Sequence, residues 1–222
     1  MITTVIFDLD GTLTNTLTDI GSAMNRALRL HGLPEHPIDA YRLMVGNGAR
    51  RLAERAVGEH KELTEAVLTD YQAWYGTHAA EATRPYPGVQ RMLEELARDG
   101  LTLSVLSNKP NPDTVHVVTG FFPETDWAII RGQLPGVPVK PHPAGTEALL
   151  DALCVSAADC LLVGDSSVDV ETAHNAHMLC AGASWGFRGR KELKDSGADF
   201  IIDSPEELPA LIRDINRGVV RG

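Results

Sequence analysis

Residues 3–7, Thr-Thr-Val-Ile-Phe, form a short β-branched and aromatic run that stops at Asp8. This is the pattern of a buried strand ending in a loop. No convincing strand follows between about residues 14 and 83. A lone strand cannot pair its own backbone hydrogen-bonding groups. Residues 3–7 must therefore join a sheet built much later in the chain, and what lies between is an insertion.

The insertion reads as helices throughout. Ile20, Ala23, Met24, Ala27 and Leu28 recur at helical spacing, with Gly32 and Pro34 ending that helix. Tyr41–Val45, Ala49–Val57 and Leu63–Tyr75 follow as further helices. The pattern changes at Pro85-Tyr-Pro87-Gly88. A helix runs from there through Val89, Met92, Leu93 and Leu96 to Gly100, before the strand 101–106. Next come a helix near 111–119, the apolar stretch Trp127–Ile130, a helix over 143–154 and the strand Cys160–Val163. A helix over 167–177, strands Met178–Ala183 and Phe200–Ile202, and a helix from Pro205 to about Asn216 complete the chain. Such alternation predicts a parallel sheet covered by helices on both faces. The expected fold class is α/β, a doubly wound parallel-sheet core of residues 1–13 and 84–222 with an inserted all-α unit at 14–83.

Charge excludes some functions. Asp and Glu number 30 against 20 Lys and Arg, a formal charge of −10, and no basic run exceeds two residues. A chain this acidic is not expected to bind nucleic acid or an anionic membrane, and no apolar stretch approaches the ~18 residues of a membrane span. The start lacks a basic region and reaches two Asp residues by position ten, so no signal peptide is expected. Cys154, Cys160 and Cys180 are odd in number, lack CxxC spacing and lie in apolar surroundings. Reduced core thiols in a cytoplasmic protein are the expectation.

Ligands of open α/β sheets bind at the carboxyl ends of the strands. Those ends carry Asp8-Leu-Asp10-Gly-Thr12-Leu13 after strand 3–7, Ser107-Asn108-Lys109-Pro110 after strand 101–106, and Gly164-Asp165-Ser-Ser-Val-Asp169 after strand 160–163. Lys140-Pro141 stands in a loop before helix 143–154. Carboxylates this close repel, and a divalent cation or a shared proton relieves the cost. Oxygen ligands without His or Cys favour Mg²⁺ over zinc. Ser107, Lys140 and the backbone N–H groups of glycine-bearing loops suit a phosphate. The combination predicts a phosphoryl-transfer site with a small phosphorylated metabolite as substrate. Asp8 is the expected nucleophile, forming an aspartyl phosphate, and Asp10 the general acid and base. Lys140 neutralises charge on the transferring group.

These four ordered motifs resemble those of the haloacid dehalogenase superfamily of aspartate-nucleophile hydrolases. The resemblance spans the whole chain, since the insertion lies where members with an α-helical cap carry theirs. Val45-Gly-Asn-Gly48, Trp185-Gly-Phe-Arg188 and Gly197-Ala-Asp-Phe-Ile-Ile-Asp203 most resemble the phosphoglycolate phosphatase group. The resemblance implies that Asp8, the Asp10 backbone carbonyl and Asp165 bind Mg²⁺. It also implies that Asp169 serves the metal, either as a ligand or by supporting the metal or Lys140 from behind. Thr12, Ser107 and Asn108 are expected to hold the phosphoryl group.

Dehalogenase chemistry is disfavoured because those members lack an acid at the position of Asp10. Phosphonate cleavage is disfavoured because those members have a small residue there and a Schiff-base lysine in the cap, where this chain has only Lys61. Hydrolysis of 2-phosphoglycolate or a similar phosphomonoester is the first expectation. A sugar phosphate mutase and a pyrophosphatase stay open, with a non-catalytic phosphate-binding module last. Asn15 stands where relatives often have Asp and caps the first inserted helix about as well.

In the cap, Gly46-Asn47-Gly48 is either an αL turn or a substrate-reading loop. Arg50 is a candidate to grip a substrate carboxylate, against the alternative of a solvated side chain. Lys109 and His142 are candidates for the rim of the site beside Ser107 and Lys140, with ordinary surface the first expectation, and His174 and His177, at i and i+3, are expected as helix-surface residues rather than a metal pair. Trp185 and Phe187 are expected in packing and Arg188 exposed. Hinges are expected near 14–18 and 80–86, and the chain as a monomer or homodimer.

Overall fold

The computed structural model describes residues 1–220. The chain runs β1 (Thr4–Phe7), β2 (Thr14–Asn15), α1 (Leu17–Leu30), a 3₁₀ turn at Ile38–Leu43, α2 (Gly48–Ala56), a 3₁₀ turn at Lys61–Leu63 and α3 (Thr64–His78). It continues with β3 (Arg84–Pro85), α4 (Val89–Arg98), β4 (Thr102–Pro110), α5 (Asn111–Phe121), β5 (Trp127–Gln133) and α6 (Ala144–Leu153). After a 3₁₀ turn at Ala157–Asp159 come β6 (Cys160–Gly164), α7 (Ser167–Asn175), β7 (Leu179–Ala183), α8 (Gly189–Asp195), β8 (Phe200–Ile202) and α9 (Glu207–Asn216).

Six strands form one parallel sheet in the order β5-β4-β1-β6-β7-β8. The first strand is central, as its isolation in the sequence requires. Its side chains alternate between two cores. Val5 and Phe7 join Leu103, Val105, Leu161 and Val163 beneath α4, α5 and α9. Ile6 joins Leu106, Leu162 and Cys180 beneath α6, α7 and α8. A strand buried on both faces reads as an unbroken apolar run, which is why 3–7 shows no polar alternation. From β1 the chain winds outward through β4 to β5, then returns to β6 and winds the other way. The reversal puts a crevice beyond the carboxyl ends of β1 and β6.

Helices α1 to α3 pack on one another, and their apolar faces, with Tyr41 of the first 3₁₀ turn, are continuous with the first core through Ile20, Met24, Leu52, Tyr71 and Tyr75. The two chain crossings between helices and sheet are tied by an antiparallel two-residue ladder, Thr14 opposite Pro85 and Asn15 opposite Arg84. Such a ladder is too short for hydrophobic periodicity to reveal. Beside it, buried Asp19 accepts hydrogen bonds from Ala82 N (2.9 and 3.0 Å), Thr83 N (2.7 Å) and Thr83 Oγ1 (2.7 Å). The start of α1 thus anchors the return to the sheet.

Several local expectations are corrected. The strand predicted over 101–106 extends as β4 through Pro110, so Ser107–Pro110 belong to a strand rather than to a loop after it. The helix expected at 41–45 is a 3₁₀ turn that follows Pro37. α8 was not anticipated because only Leu193 in it is buried, which leaves no periodic stripe. Asn15 Oδ1 accepts from Leu17 N at 3.3 Å, but Thr16 is the residue at the helix N-cap. Cys160 and Cys180 are buried, whereas Cys154 is exposed. No helix among the described residues is long and apolar enough to cross a membrane.

Candidate active site

The Asp8 N–H donates to Val163 O at 2.9 Å, continuing the pairing of β1 with β6 by one residue. The chain then turns through Gly11, at φ +93°, where a Cβ would collide with the Asp165 carboxylate. A Cβ on Gly164 would likewise strike Asp169. Glycine at these two positions is what lets the β1 and β6 loops bring their carboxylates together.

One carboxylate oxygen each from Asp8, Asp165 and Asp169 lies within 4.8 Å of the others. Lys140 Nζ sits among them, 2.9 Å from Asp8 Oδ1 and 2.7 Å from Asp169 Oδ1. Asp169 Oδ2 accepts from Ser166 N (3.1 Å) and Ser166 Oγ (2.7 Å), so both of its oxygens are engaged. Asp165 Oδ2 accepts from Phe187 N at 2.6 Å. One ammonium cannot balance three buried carboxylates. Burial, opposed by Lys140 and reinforced by Asp169, pushes the Asp8 carboxyl up to about 7. Burial and then the charges of Asp169 and Asp8 push Asp165 well above the carboxylate range. At Lys140 burial acts against the charge, but Asp169 and Asp8 outweigh it and hold the ammonium above its usual pKa. A buried, oxygen-only set carrying this excess negative charge fits a hard divalent cation such as Mg²⁺.

Asn108 is the clip that delivers Lys140. Its Oδ1 accepts from Lys140 N at 2.7 Å, and its Nδ2 donates to Lys140 O (3.0 Å) and Gly46 O (2.9 Å). Its amide therefore ties the lysine loop and the 46–48 loop to the end of β4. Ser107 is buried beside it, and its Oγ accepts from Lys109 N at 3.2 Å. A cavity of about 40 Å³ is lined by Asp8, Asp10, Gly48, Ser107, Asn108 and Lys109, together with apolar residues of the helical insertion. It has room for only a few water-sized groups.

Not every expected residue reaches this cavity. Thr12 is buried behind it; its carbonyl accepts from Trp185 Nε1 at 3.0 Å, and its hydroxyl has no partner among the described residues. Gly46 and Gly48 both have positive φ and both face the cavity, so that loop is at once a left-handed turn and a wall of the site. Arg50 lies elsewhere: exposed, it pairs with Glu65. His142 and His174 are not gathered with the carboxylates, and His174 Nε2 stands 3.2 Å from Asp199.

Two side chains expected at the surface are drawn in. Lys109 is buried, with Nζ 2.8 and 2.9 Å from the two Asp10 oxygens and 4.6 Å from the centroid of the Tyr75 ring on α3. Arg188 donates from Nη2 to Val45 O (3.0 Å) and Leu43 O (3.3 Å), bridging the loop after β7 to the insertion. Lys109's position beside Ser107-Asn108 was the only hint the sequence offered.

The sequence profile of the haloacid dehalogenase-like hydrolases matches residues 5–183. A phosphoglycolate phosphatase of Mannheimia succiniciproducens is 34% identical over 221 residues, covering 93% of this chain and 96% of its own length. One from Haemophilus influenzae is 31% identical over 215 residues with the same coverage. The solved structure of a predicted phosphoglycolate phosphatase from Haemophilus somnus 129PT aligns with a TM-score of 0.85 at 27% identity, covering 95% of this chain and 98% of that one.

Proposed function

The chain belongs to the haloacid dehalogenase-like hydrolases, and on that premise we propose that this phosphatase is Mg²⁺-dependent and acts on a small organic phosphomonoester, with 2-phosphoglycolate the first candidate. The reading rests on one observation above all, the convergence of Asp8, Asp165 and Asp169, with the Lys140 ammonium bridging Asp8 and Asp169.

In this reading an Asp8 oxygen attacks phosphorus as the ester P–O bond breaks, and a proton on Asp10 passes to the leaving oxygen. Asp8 then carries the phosphoryl group as an acyl phosphate. Water attacks that phosphorus, Asp10 takes its proton, and the bond to Asp8 breaks. The alcohol and inorganic phosphate leave, and both carboxyl groups are restored. Lys140 spends two of its three N–H donors on Asp8 and Asp169, leaving the third for a phosphoryl oxygen. The Ser107 hydroxyl is a second ligand for that group. Asp8, Asp165 and the Asp10 backbone carbonyl would hold Mg²⁺, which when bound supplies charge neutralisation for the carboxylates and the phosphoryl oxygens. Asp169, with both oxygens engaged, serves by fixing Lys140.

Residues 14–83 act as a cap over a core of 1–13 and 84–222, moving about the crossings that the Thr14–Asn15 and Arg84–Pro85 ladder ties. A cap that excludes water protects the acyl phosphate from premature loss and selects among substrates.

The test is kcat/KM for phosphate release with Mg²⁺ from 2-phosphoglycolate, β-glucose 1-phosphate, pyrophosphate and p-nitrophenyl phosphate. A clear preference for 2-phosphoglycolate supports the reading. Conversion of β-glucose 1-phosphate without phosphate release would make the enzyme a mutase, and preference for pyrophosphate would move the leaving group. Asp8→Asn should keep the fold and lose turnover; residual activity above about 1% removes Asp8 as nucleophile.

A further inference from the structure

Lys109 is the one cationic side chain among the described residues that line the cavity. Its backbone is fixed by the extension of β4, with Lys109 O accepting from Thr114 Oγ1 at 3.1 Å. Its side chain is 3% exposed, and burying an ammonium this far is costly unless it is paired. Two of its N–H groups are met by Asp10, while the Tyr75 ring covers it from the insertion. The surrounding wall, formed by Ile20, Val45, Ala49, Leu52 and Tyr71, offers an anion no other positive charge.

The nearby arginines are committed elsewhere. Arg50 pairs with Glu65, Arg55 donates to Met44 O and Asn47 Oδ1, and Arg188 donates to Leu43 O and Val45 O. A substrate with a second anionic group next to its phosphate ester would meet only Lys109.

We infer that Lys109 reads that group. On binding, its ammonium passes from the Asp10 carboxylate to a carboxylate on the substrate, and Asp10, no longer paired and supplied with a proton from solvent, faces the leaving oxygen as its acid. Lys109 touches Asp10, and in the reaction Asp10 touches the ester oxygen. The substrate carboxylate must therefore lie close to that oxygen, one carbon beyond the ester-bearing carbon. The substrate class is the short 2-phosphooxy carboxylates. A neutral alcohol of the same size leaves Lys109 on Asp10 and forgoes the exchange. The inference rests on the phosphatase reading above and deepens it by naming the residue that selects the substrate.

The experiment compares kcat/KM for 2-phosphoglycolate with that for 2-hydroxyethyl phosphate, its uncharged counterpart, using p-nitrophenyl phosphate to register phosphatase chemistry as such. The wild type should favour the carboxylate by about tenfold or more. Lys109→Met and Lys109→Gln should bring the ratio near one, chiefly through KM for the carboxylate, and Lys109→Arg should retain most of it. A structural role alone would lower both rates together and leave the ratio standing, which overturns the assignment of Lys109. A wild type that cleaves p-nitrophenyl phosphate yet shows no carboxylate preference overturns the substrate class. If it cleaves none of the three, the phosphatase reading fails first and this inference falls with it.

Discussion

Lys140 Nζ stands 2.9 Å from Asp8 Oδ1 and shares its charge with Asp169 on the other side. Among the described residues it is the one cation paired with the carboxylate cluster, touching two of its three members. Removing one partner of a buried charge network leaves the others unbalanced and costs about 3–5 kcal/mol. Lys140→Met should therefore destabilise the metal-free protein by about that much in urea unfolding, and lower kcat by about a hundredfold or more. A loss under about 1 kcal/mol would show that the carboxylates are neutralised by other means.

Asp165 tests the opposite sign. Burial and its two acidic neighbours push its carboxyl well above the ordinary range, so its charge is a burden on the metal-free fold. In Asp165→Asn the amide oxygen still accepts from Phe187 N, and one like charge is gone. The metal-free protein should gain about 1 kcal/mol, a rise of about 2–4 °C in Tm. The rise in Tm that Mg²⁺ gives the wild type should disappear. A variant that keeps the full Mg²⁺ effect would remove Asp165 from the metal site.

The parts of this site that could be read in the sequence are those whose residue types are improbable at strand ends without a shared purpose. Asp8, Asp10, Asp165 and Asp169 are such residues, and the lone strand at 3–7 required the loops bearing them to meet. Lys109 and Arg188 could not be read that way. Their burial depends on Tyr75 and on the carbonyls of Leu43 and Val45, partners that only tertiary packing supplies. Arg50 was legible but outweighed. Ala49, Leu52, Ala53 and Ala56 form the buried stripe of α2, and that phase turns Arg50 outward. Proximity to Gly48 in sequence suggested a reach that the helix does not permit.

The cysteines separate by environment. Burial, aided by Asp159, pushes the Cys160 thiol up to about 11, and burial pushes Cys180 well above the usual thiol range, while Cys154 is exposed. Iodoacetamide at pH 8 should label the native protein at Cys154 alone, and all three thiols after denaturation, as read by mass spectrometry. A raised folded-state pKa contributes stability that is complete below the unfolded thiol's value and is lost as pH climbs through the folded one. Stability should thus decline between about pH 9 and 11, with a shallower slope in Cys160→Ala. Native labelling of Cys160 at pH 8 would mean that the second core opens readily.

Arg188 joins the loop beside Asp165 to the helical insertion. It emerges just after Phe187, whose N–H holds Asp165, and its guanidinium grips the backbone at Val45 and Leu43, immediately before the loop Gly46-Asn47-Gly48. Charge-assisted hydrogen bonds to carbonyls contribute about 1–2 kcal/mol each in partly buried settings. In the cap movement proposed above, that energy would favour the closed arrangement and leave the reacting atoms untouched. Arg188→Ala should accordingly raise KM by about three- to tenfold while kcat stays within about twofold, since only the population of the closed form changes. Arg188→Lys, able to reach one carbonyl rather than two, should fall between them. If kcat instead drops in step with kcat/KM, Arg188 acts on the chemical step through Asp165, and the coupling runs from the metal site to the cap rather than from the cap inward.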